Sequence, residues 1–385
     1  MFRRRFLKTF GHSPDYTIIG VALFLVAVGL LFLASASSDI GKIRYDDAFH
    51  FLKSQVLRGI LPGILGFLVG YFVYYRRWKK LAPFLLLLNL FLLVLVFTPI
   101  GIEANGAHRW VDIGGISFQP SEFLKFTFII YLASLLSSSR LRSQKRDWET
   151  YWLFLFVCAL IAGLIIVQPA TTMAIIILLA GAIMYLFNGA PLKQILLTVV
   201  LAFLGVALLV FITPYRLYRV APFWNSTVGV LIPSVQLESQ NVDHFHVDQS
   251  RIAIGTGGLW GVGFGKSTTK YSVLPEPMGD SIFAVIAEEM GFVGGVAVLA
   301  AYLVFFWRST ALVKRSHDDF AKLMVLGFAS IITVQAIIHI AANSGLLPFT
   351  GIPLPLISYG GSSLTILMLI IGVIANVSRH TSYSR

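Results

Sequence analysis

The sequence predicts an all-α polytopic membrane protein with about ten transmembrane helices, both termini cytoplasmic, and one large extracytoplasmic loop between the seventh and eighth spans. Three observations carry this. Only 12% of the 385 residues are charged while 57% are apolar or aromatic, a charged share about half that of a soluble domain. Mean hydropathy is +0.80. Apolar runs of about 20 residues, the length needed to cross the hydrocarbon core, recur at roughly 16–37, 56–75, 81–98, 120–137, 151–167, 171–187, 194–212, 281–307, 321–343 and 361–377. Runs such as Leu81 to Phe97 lack the alternation of a lipid-facing strand, so a closed β-barrel is excluded and a helical bundle remains.

Orientation follows from the cations, because loops rich in Lys and Arg stay in the cytoplasm. With the N-terminus inside, clusters at Arg3–Lys8, Arg76–Lys80 and Arg140–Arg146, followed by Lys193, Arg308, Lys314, Arg315, Lys322, Arg379 and Arg385, place 19 of the 30 basic residues on that side. The net charge of +12 is therefore read as topology, and no nucleic acid partner is expected. Ala34-Ser35-Ala36 resembles a leader-cleavage site, but the apolar run before it is long and nine spans follow, so it is read as a retained signal anchor. Cys158, the lone cysteine, leaves no disulfide framework and no thiolate metal site. No internal repeat or low-complexity segment divides the chain, and residues 1–385 are read as one membrane domain. The loop from about 213 to 280 is the longest connection, a length usually functional or disordered.

Charges at membrane depth are costly and mark candidate sites. Glu122 and Lys125 open the fourth span on one helical face, either as a self-neutralising ion pair or as part of a polar cavity. Arg109-Trp110 precedes them, where Arg109 suits a diphosphate and Trp110 a headgroup anchor. A second cluster runs from Leu274-Pro-Glu276 to Glu288-Glu289. Asp280 enters the eighth span there, either as a helix cap or as a carboxylate able to take a proton from a hydroxyl. The third cluster is the stripe Gln335, His339 and Asn343, spaced for one helical face and suited to interhelical hydrogen bonds. It precedes Gly345 to Ser363, whose Pro and Gly density implies irregular backbone lining a cavity.

Two further patterns are set aside. Gly265-Lys266-Ser267 lacks the glycine a phosphate-binding loop needs five residues earlier, where Trp260 stands. Its glycines suit close backbone approach to a headgroup or re-entry into the membrane, with Arg251, Lys266 and Lys270 supplying charge. His244 and His246 lie near Asp243 and Asp248, which suits either a metal site or a solvated loop, with the loop preferred.

These motifs resemble those of the SEDS family (shape, elongation, division and sporulation), which contains the FtsW and RodA proteins of bacterial cell-wall synthesis. The resemblance spans essentially the whole chain. It rests on Arg109-Trp110 with Gln119-Pro-Ser-Glu-Phe-Leu-Lys125, on Leu274-Pro-Glu276 through Glu288-Glu289, and on Pro353-Leu-Pro-Leu-Ile-Ser-Tyr-Gly-Gly-Ser-Ser363. Ser35-Ala-Ser-Ser38 and the stretch from Asp47 to Gln55 look closer to FtsW than to RodA.

The resemblance implies a peptidoglycan glycosyltransferase that polymerises lipid II on the outer face of the cytoplasmic membrane, at the septum if FtsW-like, with Asp280 as the essential acidic residue. It also implies a class B penicillin-binding protein as transpeptidase partner, among other divisome or elongasome membrane proteins. Arg109, Lys125, Arg251 and Lys266 are the expected diphosphate ligands, with Glu122, Glu276, Glu288, Ser358 and Ser362 in support. A divalent cation, Mg or Mn, could share the phosphate charge, although the sequence shows no dedicated metal site and no certain cofactor. The chain departs from the family pattern at Gln168-Pro169-Ala170, where Asp usually follows Pro, and at Gly279 and Ser281 around Asp280. The rival functions are a lipid II flippase, which would need polar residues along both leaflets, and an inactive scaffold for a transpeptidase.

Overall fold

The computed structural model describes residues 12–104, 107–114, 116–138, 144–212, 241–271 and 274–381. Eight of its helices are long and apolar enough to cross a membrane, and two shorter apolar helices, Thr171–Phe187 and Leu192–Gly205, fall where the other two spans were expected. The helices are α1 (Tyr16–Tyr45), α2 (His50–Phe72), α3 (Tyr75–Leu95), α4 (Pro120–Ser138), α5 (Gln144–Val167), α6 (Thr171–Phe187), α7 (Leu192–Ile212), α8 (Asn241–Gly257), α9 (Ile282–Arg315), α10 (Asp319–Asn343) and α11 (Gly361–His380). The expected loop between α7 and α9 thus contains a helix of its own, α8. Its stretch from 213 to 240 lies outside the described residues.

Hydropathy located the spans but not their ends, because helical hydrogen bonding continues past the last apolar residue. Helix α1 begins at the cap Asp15, whose carboxylate accepts from Thr17 N at 3.1 Å, and runs on to Tyr45, where Asp46 turns left-handed at φ 53°. Helix α3 starts within the cation cluster, at Tyr75. A small antiparallel sheet that no sequence pattern announced lies between α3 and α4, formed in the order β1 (Gly101–Ala104), β2 (Ala107–Ile113) and β3 (Ile116–Phe118). Ile102 pairs with Trp110, and Val111 with Phe118.

Helix α10 is the centre of the bundle, packed against α9, α4 and α6 and buried along most of its length, as expected of a helix that is apolar all round. Helices α2 and α11 pack through small residues: a Cβ on Gly70 would lie 2.5 Å from Leu369 O, and one on Gly372 2.3 Å from Phe67 O. Such contacts bring backbones together where lipid offers no hydrophobic drive for association. Helix α2 also contains one π-turn, Val56–Ile60, beside Gln55, whose Oε1 accepts from Gly360 N at 3.0 Å. Outward-facing side chains such as Leu65, Phe72, Phe84, Leu87 and Phe91 are exposed and apolar.

Helix α9 is broken at Gly291, where φ is 67° and ψ is −167°. The glycine-rich segment after α8 fills the gap. Val262 N and Gly263 N donate to the Glu288 and Glu289 carbonyls, both at 3.0 Å, while Phe292 N and Val293 N donate to Gly258 O and Leu259 O at 2.8 and 3.3 Å. Gly257 and Gly261 thereby allow close approach to the backbone of α9. A Cβ on Gly261, at φ +81°, would sit 2.1 Å from Glu289 O, whereas Gly265, at φ +78°, has nothing within 4 Å.

At the end of the bundle that holds both described termini, Asp15 pairs with Arg308 at 2.7 Å and its N–H donates to Ser378 Oγ at 2.9 Å. Asp318 caps α10 through Phe320 N and accepts from Arg76 at 2.8 Å and Tyr75 Oη at 3.0 Å. Burial opposes its charge, but these hydrogen bonds outweigh burial and hold its carboxyl below the usual range.

Two outcomes are expected in thermal unfolding of the detergent-purified protein. Gly265→Ala should cost about 1–2 kcal/mol for the left-handed backbone alone, and Gly261→Ala distinctly more, because its methyl also collides with a carbonyl. A carboxyl whose pKa folding lowers contributes stability above its unfolded pKa and loses that contribution as pH falls through the folded one. Asp318→Asn should therefore lower Tm at neutral pH and leave a shallower decline below about pH 4.

Candidate active site

Asp280 lies at the end of a tight turn, Leu274–Ser281, that leads into α9. The helix cap is Ser281, which makes no side-chain capping bond, so Asp280 does not cap the helix. Within the turn, Glu276 adopts φ 45°, and its carbonyl accepts from Gly279 N at 3.0 Å and Ser281 N at 3.2 Å. Ser281 Oγ donates to Pro275 O at 2.8 Å. The Glu276 side chain is exposed, so its support of the turn comes from its backbone.

Two other elements hold the turn. Ser358 Oγ donates to Gly279 O at 2.7 Å and accepts from Leu354 N at 2.8 Å, and Tyr359 N donates to Met278 O at 2.9 Å. Asn343 Nδ2, at the end of α10, donates to Asp280 O at 3.0 Å. The Asp280 carboxylate reaches toward Gly351: a Cβ built there, at φ +58°, would lie 3.4 Å from Oδ2. The second and third clusters of the sequence thus meet at Asp280. Ser362 is half-buried in the first turn of α11 and makes no described hydrogen bond to the Asp280 turn.

The irregular segment before α11 is held carbonyl by carbonyl. Thr172 Oγ1 donates to Thr350 O at 3.3 Å, His339 Nδ1 to Ile352 O at 2.7 Å, and Gln335 Nε2 to Pro353 O at 2.7 Å. Tyr302 Oη donates to Pro355 O. Gln335 and His339 accordingly bind this segment, and Gln335 also makes the expected interhelical bond, its Oε1 accepting from Lys125 of α4 at 2.8 Å.

Lys125 is fully buried. Its ammonium donates to Glu122 Oε1 and Oε2 at 3.0 and 2.8 Å and to Gln335 Oε1 at 2.8 Å. An ammonium has three donors, and these contacts occupy them, so in this arrangement Lys125 has none left for a phosphate. It fixes the amide instead: Gln335 must turn its oxygen to Lys125, which leaves its NH₂ for Pro353. The ion-pair alternative for Glu122 and Lys125 matches this geometry.

Arg109, half-buried on β2, donates to Gln168 O at 3.1 Å and Pro169 O at 2.7 Å. That ties the sheet to the turn whose Thr172 holds Thr350. Arg251 on α8 donates to Gly345 O at 2.9 Å, at the far end of the loop that carries Gly351. Lys266 is exposed on the 258–270 segment and, among the described residues, is not hydrogen-bonded to the Asp280 turn. Glu288 organises that segment, accepting from Ser267 Oγ at 2.5 Å, Thr268 N at 3.0 Å and Thr269 Oγ1.

Lys270 does not supply accessible charge. It is buried, donating to Glu289 Oε1 at 2.7 Å, Ser35 Oγ at 2.8 Å and Gly265 O at 2.9 Å. His246 stacks on Phe349 with ring centroids 4.9 Å apart, and the side chain of His244 lies outside the described residues. Among those residues no three His, Cys, Asp or Glu side chains converge as metal ligands. Sequence reasoning missed Tyr302, Thr172 and Gly351. Tyr302 and Thr172 sit in apolar runs with no local signal, while the left-handed turn at Gly351 was foreshadowed only by Gly and Pro density.

Residues 15–383 match the cell cycle protein family model for FtsW, RodA and SpoVE. The chain belongs to that family. It is 34% identical over 378 residues to stage V sporulation protein E of Bacillus subtilis (strain 168), covering 96% of this chain and 98% of that protein. It is likewise 34% identical over 368 residues to the probable peptidoglycan glycosyltransferase FtsW of Geobacter sp. (strain M18), covering 94% and 96%. Among solved structures, a chain of a peptidoglycan synthase complex that coordinates polymerization and crosslinking superposes with TM-score 0.75 at 26% identity, covering 95% of this chain and 98% of that one. The Thermus thermophilus rod shape determining protein RodA superposes at 0.69 with 27% identity, covering 97% and 99%. The polytopic helical fold expected from the sequence is that of these SEDS proteins.

Removing one partner of a buried ion pair leaves an uncompensated charge, at a cost of about 3–5 kcal/mol. Glu122→Gln and Lys125→Met should each destabilise the protein by about that much in detergent thermal unfolding. The double variant should recover most of the loss, and a double variant no more stable than either single one would contradict the pairing.

Proposed function

We propose that this chain is a peptidoglycan glycosyltransferase that polymerises lipid II, with Asp280 as general base. The observation that carries the reading is the bracing of the Asp280 turn by α10 and by the segment before α11. That bracing presents one carboxylate on a fixed wall, in a family whose FtsW members bear the name of this activity. Residues 1–385 act as one membrane domain in the bacterial cytoplasmic membrane, both termini inside, the Asp280 turn on the outer face, and septal placement as for FtsW.

The carboxylate of Asp280 takes the proton of the acceptor's GlcNAc 4-hydroxyl as that oxygen attacks the anomeric carbon of the donor glycan. The new C1–O4 bond forms as the C1–O bond to undecaprenyl diphosphate breaks, and the leaving group departs with the electron pair. Attack from the face opposite the leaving group inverts the α-linked donor to a β-linked strand. A general base in position contributes about 10²- to 10⁴-fold, and cations on the departing diphosphate add electrostatic stabilisation.

Arg109, Arg251 and Lys266 are the candidates for that second role, since they are half-buried or exposed. Lys125 and Glu122 act at one remove, holding Gln335 and through it Pro353. Glu288 holds the segment that carries Lys266, Glu276 and Ser358 fix the turn, and Ser362 supports the start of α11. The likeness to a chain of a synthase complex supports a class B penicillin-binding protein as the transpeptidase partner.

Polymerisation of labelled lipid II by the purified protein, with and without that partner, tests the reading. Wild type should yield long glycan strands, and Asp280→Asn, equally folded, should lose about 10²-fold or more. Equal output from both would remove Asp280 from the chemistry, and no output from either with partner present would favour flippase or scaffold.

A further inference from the structure

We propose that His339 is a positioning residue for Asp280, acting through the Ile352–Pro353 peptide next to Gly351. The proposal rests on the reading of Asp280 as the base. Helix α10 touches the site twice on one face. Asn343 holds the backbone carbonyl of Asp280 at 3.0 Å, and one turn earlier His339 holds Ile352 O at 2.7 Å. Between these bonds the carboxylate lies against Gly351, with Oδ2 3.4 Å from where a Cβ would stand. One rigid helix therefore sets both the base's backbone and the wall its carboxylate meets.

The chemistry of the contact fixes the tautomer. A carbonyl oxygen only accepts, so Nδ1 carries the proton and Nε2 is bare. His339 is 1% exposed, and its Nε2 has no hydrogen-bond partner among the described residues. The useful part of the ring is thus the single Nδ1–H, an atom whose place the side-chain amide nitrogen of Asn can take.

Neighbouring bonds do not substitute for it. Pro353 has no N–H to offer, Gln335 holds the next carbonyl, and Thr172 holds Thr350 O with a longer contact of 3.3 Å. Without the Nδ1–H donor the Ile352–Pro353 peptide loses its anchor, Gly351 beside it is free to shift, and the carboxylate loses its stop. A misplacement of about 1 Å near a reacting group lowers rate by up to about 10²-fold.

The test compares wild type, His339→Asn, His339→Leu, Gly351→Ala and Asp280→Asn, each the full chain with its transpeptidase partner, in lipid II polymerisation kinetics. His339→Leu should lose about 10- to 100-fold in kcat with KM for lipid II little changed, and His339→Asn should restore kcat to within a few-fold of wild type. A folded His339→Leu at wild-type kcat overturns the proposal, as does a folded His339→Asn as slow as the leucine variant. Should His339→Leu fail to fold, Gly351→Ala decides, because it strains the left-handed backbone of the wall at φ +58° without touching α10: a fall in kcat supports the wall and unchanged kcat overturns it. Asp280→Asn separates the two layers. Full activity there removes the base and this inference together, whereas an inactive Asp280→Asn beside a fully active His339→Leu removes the positioning role alone.

Discussion

Non-helical backbone at membrane depth has no water to satisfy it, and the rest of this structure depends on how that constraint is met. Among the described residues, two segments packed against the spans show how. One is the 258–263 stretch, which exchanges backbone hydrogen bonds with the break at Gly291. The other is the stretch from Thr350 to Gly360, whose carbonyls are taken by side chains of α6, α9 and α10 and by its own turn. Proline at 353 and 355 shapes this second segment, because each removes a donor and leaves only an acceptor to be covered. The polar side chains at 172, 302, 335 and 339 stand inside otherwise apolar helices for that purpose.

The same constraint sorts the cations. Burying an ammonium is expensive unless it is paired and hydrogen-bonded, and Lys125 and Lys270 each make three acceptor contacts that include a carboxylate. Such groups serve as orientation devices. Lys125 decides which way the Gln335 amide points, and Lys270 joins Ser35 of α1 to Glu289 just before the break in α9. Arg109, Arg251 and Lys266 keep part of their surface open, and they grip carbonyls or lie on a loop near the surface. Charge alone made these five alike in the sequence, and burial divides them.

What the sequence disclosed follows from the same physics. Hydropathy measures transfer out of water, so it located the spans, but α3 begins among cations because its hydrogen bonds extend beyond its apolar stretch. Asp280 and the run from Pro353 to Ser363 were legible because a charge, or clustered Pro and Gly, at membrane depth needs an explanation. Their partners were not legible. Lys125 and Gln335 are 210 positions apart, Ser35 and Glu289 are 254 apart, and no local pattern announces such a pairing. The β1–β3 sheet escaped for a different reason, since strands of 4, 7 and 3 residues are too short for alternation to stand out.

The carboxylate and its support belong to different helices. Asp280 leads into α9, among the described residues the one span with a residue outside helical geometry in its interior, while the bonds that place it come from α10 and from the segment α10 holds. A break lets a helix bend where its hydrogen-bond ladder is interrupted. The bonds from Asn343, Ser358 and Tyr359 bind the Asp280 turn to elements other than α9. Bending at Gly291 is opposed by the 258–263 stretch, which hydrogen-bonds both sides of the break, and by Tyr302, which holds Pro355 O from beyond it. The accuracy that a single base requires resides in α10, the unbroken helix at the centre of the bundle, rather than in the broken helix that carries the carboxylate.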